Sequence, residues 1–275
     1  MKPAPFAYLR PSGLPEALDA LGGDVAVLAG GQSLLPMLNL RVAAAERLVD
    51  ISHLPGLDAI DERPDHLRIG ALVTHARLED GGAPGPVGAR LARAAGQIAY
   101  RAVRNLGTLG GSLALADPAA DWPACLLALD AIVLTASAAS ERRIPIDAFL
   151  VDAYETALAP GELIVAVEIP LPPAAGWGSA KVARKRGAFA DSLAFAALGA
   201  GGARIALGGT STRARLMTRT AAVLEADPDA GEAALREAIE ADLDGLEVPR
   251  GDGSDAWRWR CHVHTLLTAI AEARQ

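Results

Sequence analysis

The residues best suited to hold a ligand fall in two short stretches, Ala29-Gly30-Gly31-Gln32-Ser33-Leu34 and Thr108-Leu109-Gly110-Gly111-Ser112. Each sets a glycine pair beside polar side chains. Glycine accepts positive φ and leaves backbone N–H groups unshielded, so a turn built on two of them makes a concave donor surface suited to a dianionic pyrophosphate. Gln32 and Ser33 add side-chain donors. A single Gly-Gly pair is more often an ordinary turn, but two loops of the same character read as two sides of one ligand site. No Gly-Lys-Ser/Thr follows either loop, and neither spells the G-x-G-x-x-G of a Rossmann turn, so the commonest nucleotide folds are disfavoured.

Other chemistries find little support. His53, His66 and His75 are isolated, and His262 and His264 stand two apart on an expected helix, pointing about 200° away from each other. No metal site is expected. There is no G-x-S-x-G nucleophile turn. Cys125 sits in the apolar stretch Trp122 to Leu129 and reads as a packed core thiol. With Cys125 and Cys261 as the only cysteines, a disulfide scaffold is excluded, and the chain lacks the four ligands an iron–sulfur cluster of its own would need.

The elements that must position the two loops can be read from spacing. Leu14, Ala17, Leu18 and Leu21 give a helix capped by Ser12 and stopped at Gly22-Gly23. It feeds the apolar strand Val25 to Leu28, which ends at the first loop; Leu34 to Leu40 then forms a short buried helical turn. Leu48 to Ile51 and Leu67 to Gly70 read as strands. Thr74 reads as a helix N-cap, and Val87, Leu91, Ala94, Ala95 and Ile98 mark the apolar face of a helix leading to the second loop. A helix follows from Trp122-Pro123 to Leu129, then the β-rich runs Ala131 to Thr135 and Leu163 to Ile169, separated by Arg143-Ile144-Pro145-Ile146. Pro170-Leu171-Pro172-Pro173 marks a composition break, giving domains 1–172 and 173–275. Beyond it, Ala180 to Ala183, Leu193 to Leu198 and Arg204 to Leu207 predict an antiparallel sheet. Three helices follow, Arg213 to Ala226, Gly231 to Ala241 and Ala256 to Arg274, making an α+β arrangement.

Composition allows this. The chain has 275 residues, 51% hydrophobic and 21% charged, enough for a sizeable core and two domains. Its formal charge is −7 and its basic run is confined to Arg184-Lys185-Arg186, which argues against a nucleic-acid partner. Neither a signal peptide nor a membrane span is expected, so a cytoplasmic location is.

Together the loops resemble those of a known family. With Pro5-Phe6-x-Tyr8, Leu48-Val49-Asp50-Ile51, Ile69-Gly70-Ala71, Thr74-His75 and Ala116-Asp117-Pro118-Ala119-Ala120-Asp121, they are similar to the FAD-binding medium subunit of molybdenum hydroxylases, the carbon monoxide dehydrogenase and xanthine dehydrogenase type. The resemblance is close over about the first 170 residues. It implies a p-cresol methylhydroxylase-type FAD-binding domain with a smaller C-terminal α+β domain. FAD is the implied cofactor, its pyrophosphate lying on Ala29 to Leu34 and Thr108 to Ser112. By the same resemblance Asp121 is near the adenosine part, where a carboxylate can accept ribose hydroxyls; a helix cap before Trp122 is the lesser reading of this residue type. Lys185, or its neighbours Arg184 and Lys181, would approach the flavin ring; a solvated basic patch is the other reading of that run. Arg101 and Arg104 either balance the phosphates or anchor their loop through surface carboxylates. Ala188 stands where the family carries an acidic residue.

The implied role is electron transfer within a complex that contains a molybdenum-cofactor large subunit and a 2Fe–2S small subunit, as a dimer of heterotrimers. Two other readings share the loops: a free-standing flavin reductase or oxidase on the same fold, and a non-catalytic dinucleotide-binding module.

Overall fold

The computed structural model describes residues 2–246 and 255–275. The chain begins with β1 (Ala7–Leu9), α1 (Leu14–Asp19), β2 (Val25–Leu28), α2 (Leu34–Leu40) and β3 (Arg47–Asp50), and β3 lies central in a three-stranded parallel sheet. Parallel neighbours need crossovers, which the helices supply. The predicted apolar stripe of α1 packs against Val49 and Ile51. Its cap is Gly13, not Ser12. Both the Ser12 N–H and its hydroxyl donate to Glu16 (2.7 and 2.8 Å), so Ser12 steadies the turn from one residue outside. The helix at Leu34 to Leu40 forms, but Leu38 is its single buried residue, and Leu35 and Leu40 are exposed. Leu38 packs with Ala45 and Leu48 in a small core, while Leu34 and Met37 line a cavity.

The middle of the chain runs β4 (Ile60–Glu62), β5 (His66–Gly70), α3 (His75–Glu79), α4 (Gly85–Ala95), α5 (Arg101–Arg104), α6 (Leu109–Leu115), α7 (Asp121–Ala128), β6 (Ile132–Ala136), β7 (Glu141–Pro145), α8 (Ile146–Phe149), β8 (Leu150–Asp152), β9 (Glu155–Thr156) and β10 (Leu163–Pro170). Five of the strands form an antiparallel sheet in the order β4-β5-β10-β6-β7. β10, at its centre, is buried along its length up to Pro170, as a strand covered on both faces must be. Arg143-Ile144-Pro145, expected to be a separator, belongs to edge strand β7, where only Ile144 turns inward. Thr74 caps α3 by accepting the Arg77 N–H at 3.2 Å. Val87, Leu91, Ala94 and Ala95 form the buried face of α4, whereas Ile98 lies beyond its end. Every residue of α7 is buried, including Asp121.

The last part comprises β11 (Gly176–Val182), β12 (Ser192–Gly199), β13 (Gly202–Gly208), β14 (Arg215–Leu216), α9 (Thr218–Ala226), α10 (Glu232–Leu243) and α11 (Asp255–Ala273), with an antiparallel sheet ordered β11-β12-β13-β14. Arg215-Leu216, expected at the start of a helix, pairs with Ala206 and Leu207 as a strand, and the helix starts after it. β12 is covered on both sides: Leu193 and Phe195 face the core built around α7, and Ala194 and Ala196 face α11. A methyl group on Gly178 would lie 1.9 Å from the Ala269 carbonyl, so α11 rests directly on the strand. Residues 172 and 173 fall between β10 and β11, and one continuous core lies on both sides of that point. Among the described residues, no helix is long and apolar enough to cross a membrane.

Candidate functional site

β2 stops at Leu28 and delivers Gly30 to a cavity of about 580 Å³, a volume typical of small-molecule clefts. Its apolar walls include Ala26, Val27, Met37, Ile51, Leu115 and Ile164. Gly30, Gly31, Gln32, Ser33 and Leu34 line it together with Ala29, so the whole first loop faces the space. Gly30 is pressed against the second loop: a Cβ there would stand 1.9 Å from the Leu106 carbonyl oxygen and 2.9 Å from the Gly107 Cα. Gly31 takes φ +69°. Among the described residues, no acceptor takes the N–H groups of Gly31, Gln32, Ser33 or Leu34, while Gln32 Nε2 donates to the Gly30 carbonyl at 3.1 Å. These unengaged donors belong to residues that line one space, as an anion site requires.

The second loop works differently. Thr108, Gly110, Gly111 and Ser112 line the cavity. Their N–H groups are partly committed: Gly110 donates to the Ala71 carbonyl at 2.8 Å, Gly111 to Thr108 Oγ1 at 3.1 Å and Ser112 to the Thr108 carbonyl at 3.0 Å. A Cβ on Gly110 would meet Ala71 at 2.5 Å. Here the glycines serve close packing of α6 on the strand end as much as exposure of donors. Leu109 is off the cavity, fully buried, its N–H donating to the Val73 carbonyl at 3.0 Å. An apolar residue at the start of α6 faces the core, and its neighbours face the ligand space.

Asp121 lines the cavity at the start of α7, and Lys181 Nζ from β11 donates to its two oxygens at 2.8 and 3.0 Å and to the Gln97 carbonyl at 3.3 Å. Burial pushes this carboxyl up, and the ammonium of Lys181 opposes the rise. Each oxygen keeps a further lone pair for a ligand hydroxyl. Lys185 sits outside the lining, exposed, with its ammonium 6.0 Å from the ring centre of Tyr100. An exposed lysine gains more from water and an aromatic face than from a buried wall. The basic stretch contributes instead through Gly187, Ala188 and Phe189, which line the cavity. Gly187, at φ +77°, approaches the Ala99 carbonyl so closely that a Cβ would stand 2.6 Å away. Of the arginines, Arg104 binds Glu79 at 2.7 and 2.8 Å and the carbonyls of Ile98 and Ala99 at 2.7 and 2.9 Å, and Arg101 binds Glu79 and Asp80. They anchor the segment before the loop.

Sequence reasoning passed over His75, Ile98 and Ala99 as cavity residues. Ile98 looked like part of a helix face; it lies past the helix end, where the chain turns along the cavity wall. Cys125 is fully buried, and burial pushes its thiol up, as expected of a packed core group. His262 is also buried, held by Ser192 Oγ at 2.8 Å. Among the described residues, no three His, Cys, Asp or Glu side chains gather to hold a metal.

Residues 4–172 match the model of the FAD binding domain in molybdopterin dehydrogenase. The chain belongs to this family. The alpha subunit of the 6-hydroxypseudooxynicotine dehydrogenase complex of Paenarthrobacter nicotinovorans is 38% identical over 270 residues, covering 94% of this chain and 90% of that one. The carbon monoxide dehydrogenase medium chain of Hydrogenophaga pseudoflava is 37% identical, covering 70% and 68%. The solved quinoline 2-oxidoreductase of Pseudomonas putida 86 superposes with a TM-score of 0.90 at 36% identity, covering 100% of this chain and 99% of that one. The chain is thus a medium, FAD-binding subunit of the molybdenum hydroxylase type, an oxidoreductase component with the p-cresol methylhydroxylase-type α+β fold. The open N–H groups of its first loop and the glycine contacts that bring the two loops together fit the pyrophosphate of FAD.

Proposed function

We propose that this chain is the electron-transfer flavoprotein of a cytoplasmic molybdenum hydroxylase, taking electrons from a 2Fe–2S subunit and passing them to an external acceptor. The observation that carries the reading is the pair of glycine loops locked around one cavity, with unengaged donors on the first. Bound FAD supplies reversible two-electron chemistry, while the protein sets its position and surroundings. In this reading Ala29 to Leu34, Thr108 and Gly110 to Ser112 hold the pyrophosphate. Asp121, steadied by Lys181, accepts from hydroxyls of the adenosine half. The boundary between the FAD domain and the C-terminal domain is set at 172/173, and Gly187 to Phe189 reach back across it to the cavity. A relative named as one subunit of a dehydrogenase complex supports an assembly with other chains; in this reading they are a molybdenum-cofactor large subunit and a 2Fe–2S small subunit, in a dimer of heterotrimers.

The test is purification of the chain from its native host under mild conditions. About one equivalent of FAD, co-elution with an iron–sulfur and a molybdenum chain, and flavin bleaching when the complex's substrate is added are expected. Stoichiometric FAD in a chain that elutes alone and stays oxidised would leave the flavoprotein assignment standing and remove the assembly.

A further inference from the structure

We propose that His75 is a ligand-binding residue of the cavity, its Nε2–H donating to a phosphate oxygen of the bound dinucleotide where the two glycine loops meet. The placement comes from three contacts. The His75 N–H donates to the Gly107 carbonyl at 2.9 Å, and Thr74 and Thr108 form a β-bridge beside it. A Cβ on Gly107 would stand 2.8 Å from the His75 Nε2 and Cδ2 atoms. Gly30 is pressed against the Leu106 carbonyl and the Gly107 Cα, so the imidazole lies beside the junction of the loops.

The identity of the donor atom follows from Trp122. The indole Nε1 of this fully buried residue lies 3.0 Å from His75 Nδ1. An indole N–H only donates, so Nδ1 is the acceptor and the ring proton sits on Nε2. His75 is 6% exposed and lines the cavity, and among the described residues Nε2 has no acceptor. Nε2 is not sealed in the core but belongs to a ring that lines the cavity, so its proton is free for an acceptor in the ligand. Burial and the nearby Arg104 hold the ring's pKa at about 4, so it donates as a neutral group. Trp122 thus acts as a positioning residue that fixes the tautomer.

This inference rests on the FAD reading of the cavity. It is tested on the full chain stripped of flavin, by titrating FAD into wild type, His75→Gln and His75→Phe. Phenylalanine keeps the ring volume and removes the donor; glutamine offers an acceptor to Trp122 and a donor to the cavity. His75→Phe is expected to bind FAD about 10- to 100-fold more weakly, as for loss of a hydrogen bond to a charged acceptor, with the flavin midpoint potential unchanged. His75→Gln should recover most of the affinity. Equal affinity of wild type and His75→Phe would overturn the proposal. A changed potential at equal affinity would move the donor to the flavin ring and overturn it too. Wild type itself needs no variant to fold: with 15N-histidine labelling, the His75 Nε2 signal should move on FAD addition and couple to phosphorus. A signal that stays in place while FAD binds would refute the contact. Failure of wild type to take up FAD would instead overturn the FAD reading beneath it.

Discussion

At the scale of single residues, the three glycines nearest the loops do different work. Gly31 is needed for its dihedral angle, Gly110 for its contact with Ala71, and Gly30 for the space in which two backbone segments touch. A methyl group on Gly30 cannot be met by rotating a side chain, because the obstructing atom is a backbone carbonyl 1.9 Å away. Gly30→Ala is therefore expected to spread the loops, lowering stability by about 1–3 kcal/mol, the usual range for overpacking, and abolishing FAD retention. Gly22→Ala, where nothing lies within 4 Å and φ is ordinary, should leave both unchanged. Thermal melts and flavin-to-protein absorbance ratios check the pair. Equal flavin content in the two variants would show that the loops yield more readily than backbone packing allows.

Among elements, one buried ion pair links α7 to β11. Asp121 at the first turn of the helix and Lys181 on the strand are each about nine-tenths buried, and they join the FAD-binding part to the sheet that follows it. Removing one partner of a buried pair strands the other charge, at about 3–5 kcal/mol. Lys181→Met leaves a buried carboxylate without its cation, whereas Asp121→Asn keeps an oxygen that accepts from Nζ. Lys181→Met is therefore expected to destabilise more than Asp121→Asn, read from urea midpoints. If Asp121 also serves the ligand, both should weaken FAD binding. The reverse stability order would mean that Lys181 finds water or another carboxylate without cost.

Across the whole molecule, two cores lie on opposite sides of the β12 sheet, and each contains or borders a buried neutral histidine. His75 and His262 both have pKa values lowered to about 4, chiefly by burial. Between pH 6.5 and 4 the unfolded chain binds protons at these positions and the folded chain does not, so stability falls as the pH falls through this window. Above pH 6.5 the contribution is complete. The loss amounts to as much as about 3 kcal/mol per histidine. Melting temperatures from pH 7 to pH 4.5 should decline, and His262→Gln should flatten part of the slope. A flat profile for wild type would contradict the neutral, buried state of both rings.

Much of the fold was legible because short-range patterns decided it. The apolar run Val25 to Leu28 before Gly30-Gly31, the i, i+3, i+4, i+7 stripe of α1 and the continuous apolar run of β12, covered on both faces, each reflect what of an element is buried, and burial writes itself into spacing. The two glycine loops stood out for the same reason, since positive φ and close approach restrict the residue type. What stayed hidden was set by partners distant in the chain. The sequence places Lys181 in a strand and Lys185 in a basic run, but nothing local names the partner of either; the tertiary structure brings the first to Asp121 and leaves the second in solvent. Arg215-Leu216 has no strand signature of its own and became one because an edge of β13 was free to pair. His75 looks like any isolated histidine until Trp122, 47 residues later, takes its Nδ1 and turns its remaining N–H to the cavity. The sequence by itself determined the loops and the elements that carry them, because their geometry is local. Which charges and donors surround the ligand was decided by tertiary structure, because hydrogen bonds and ion pairs depend on distance in space.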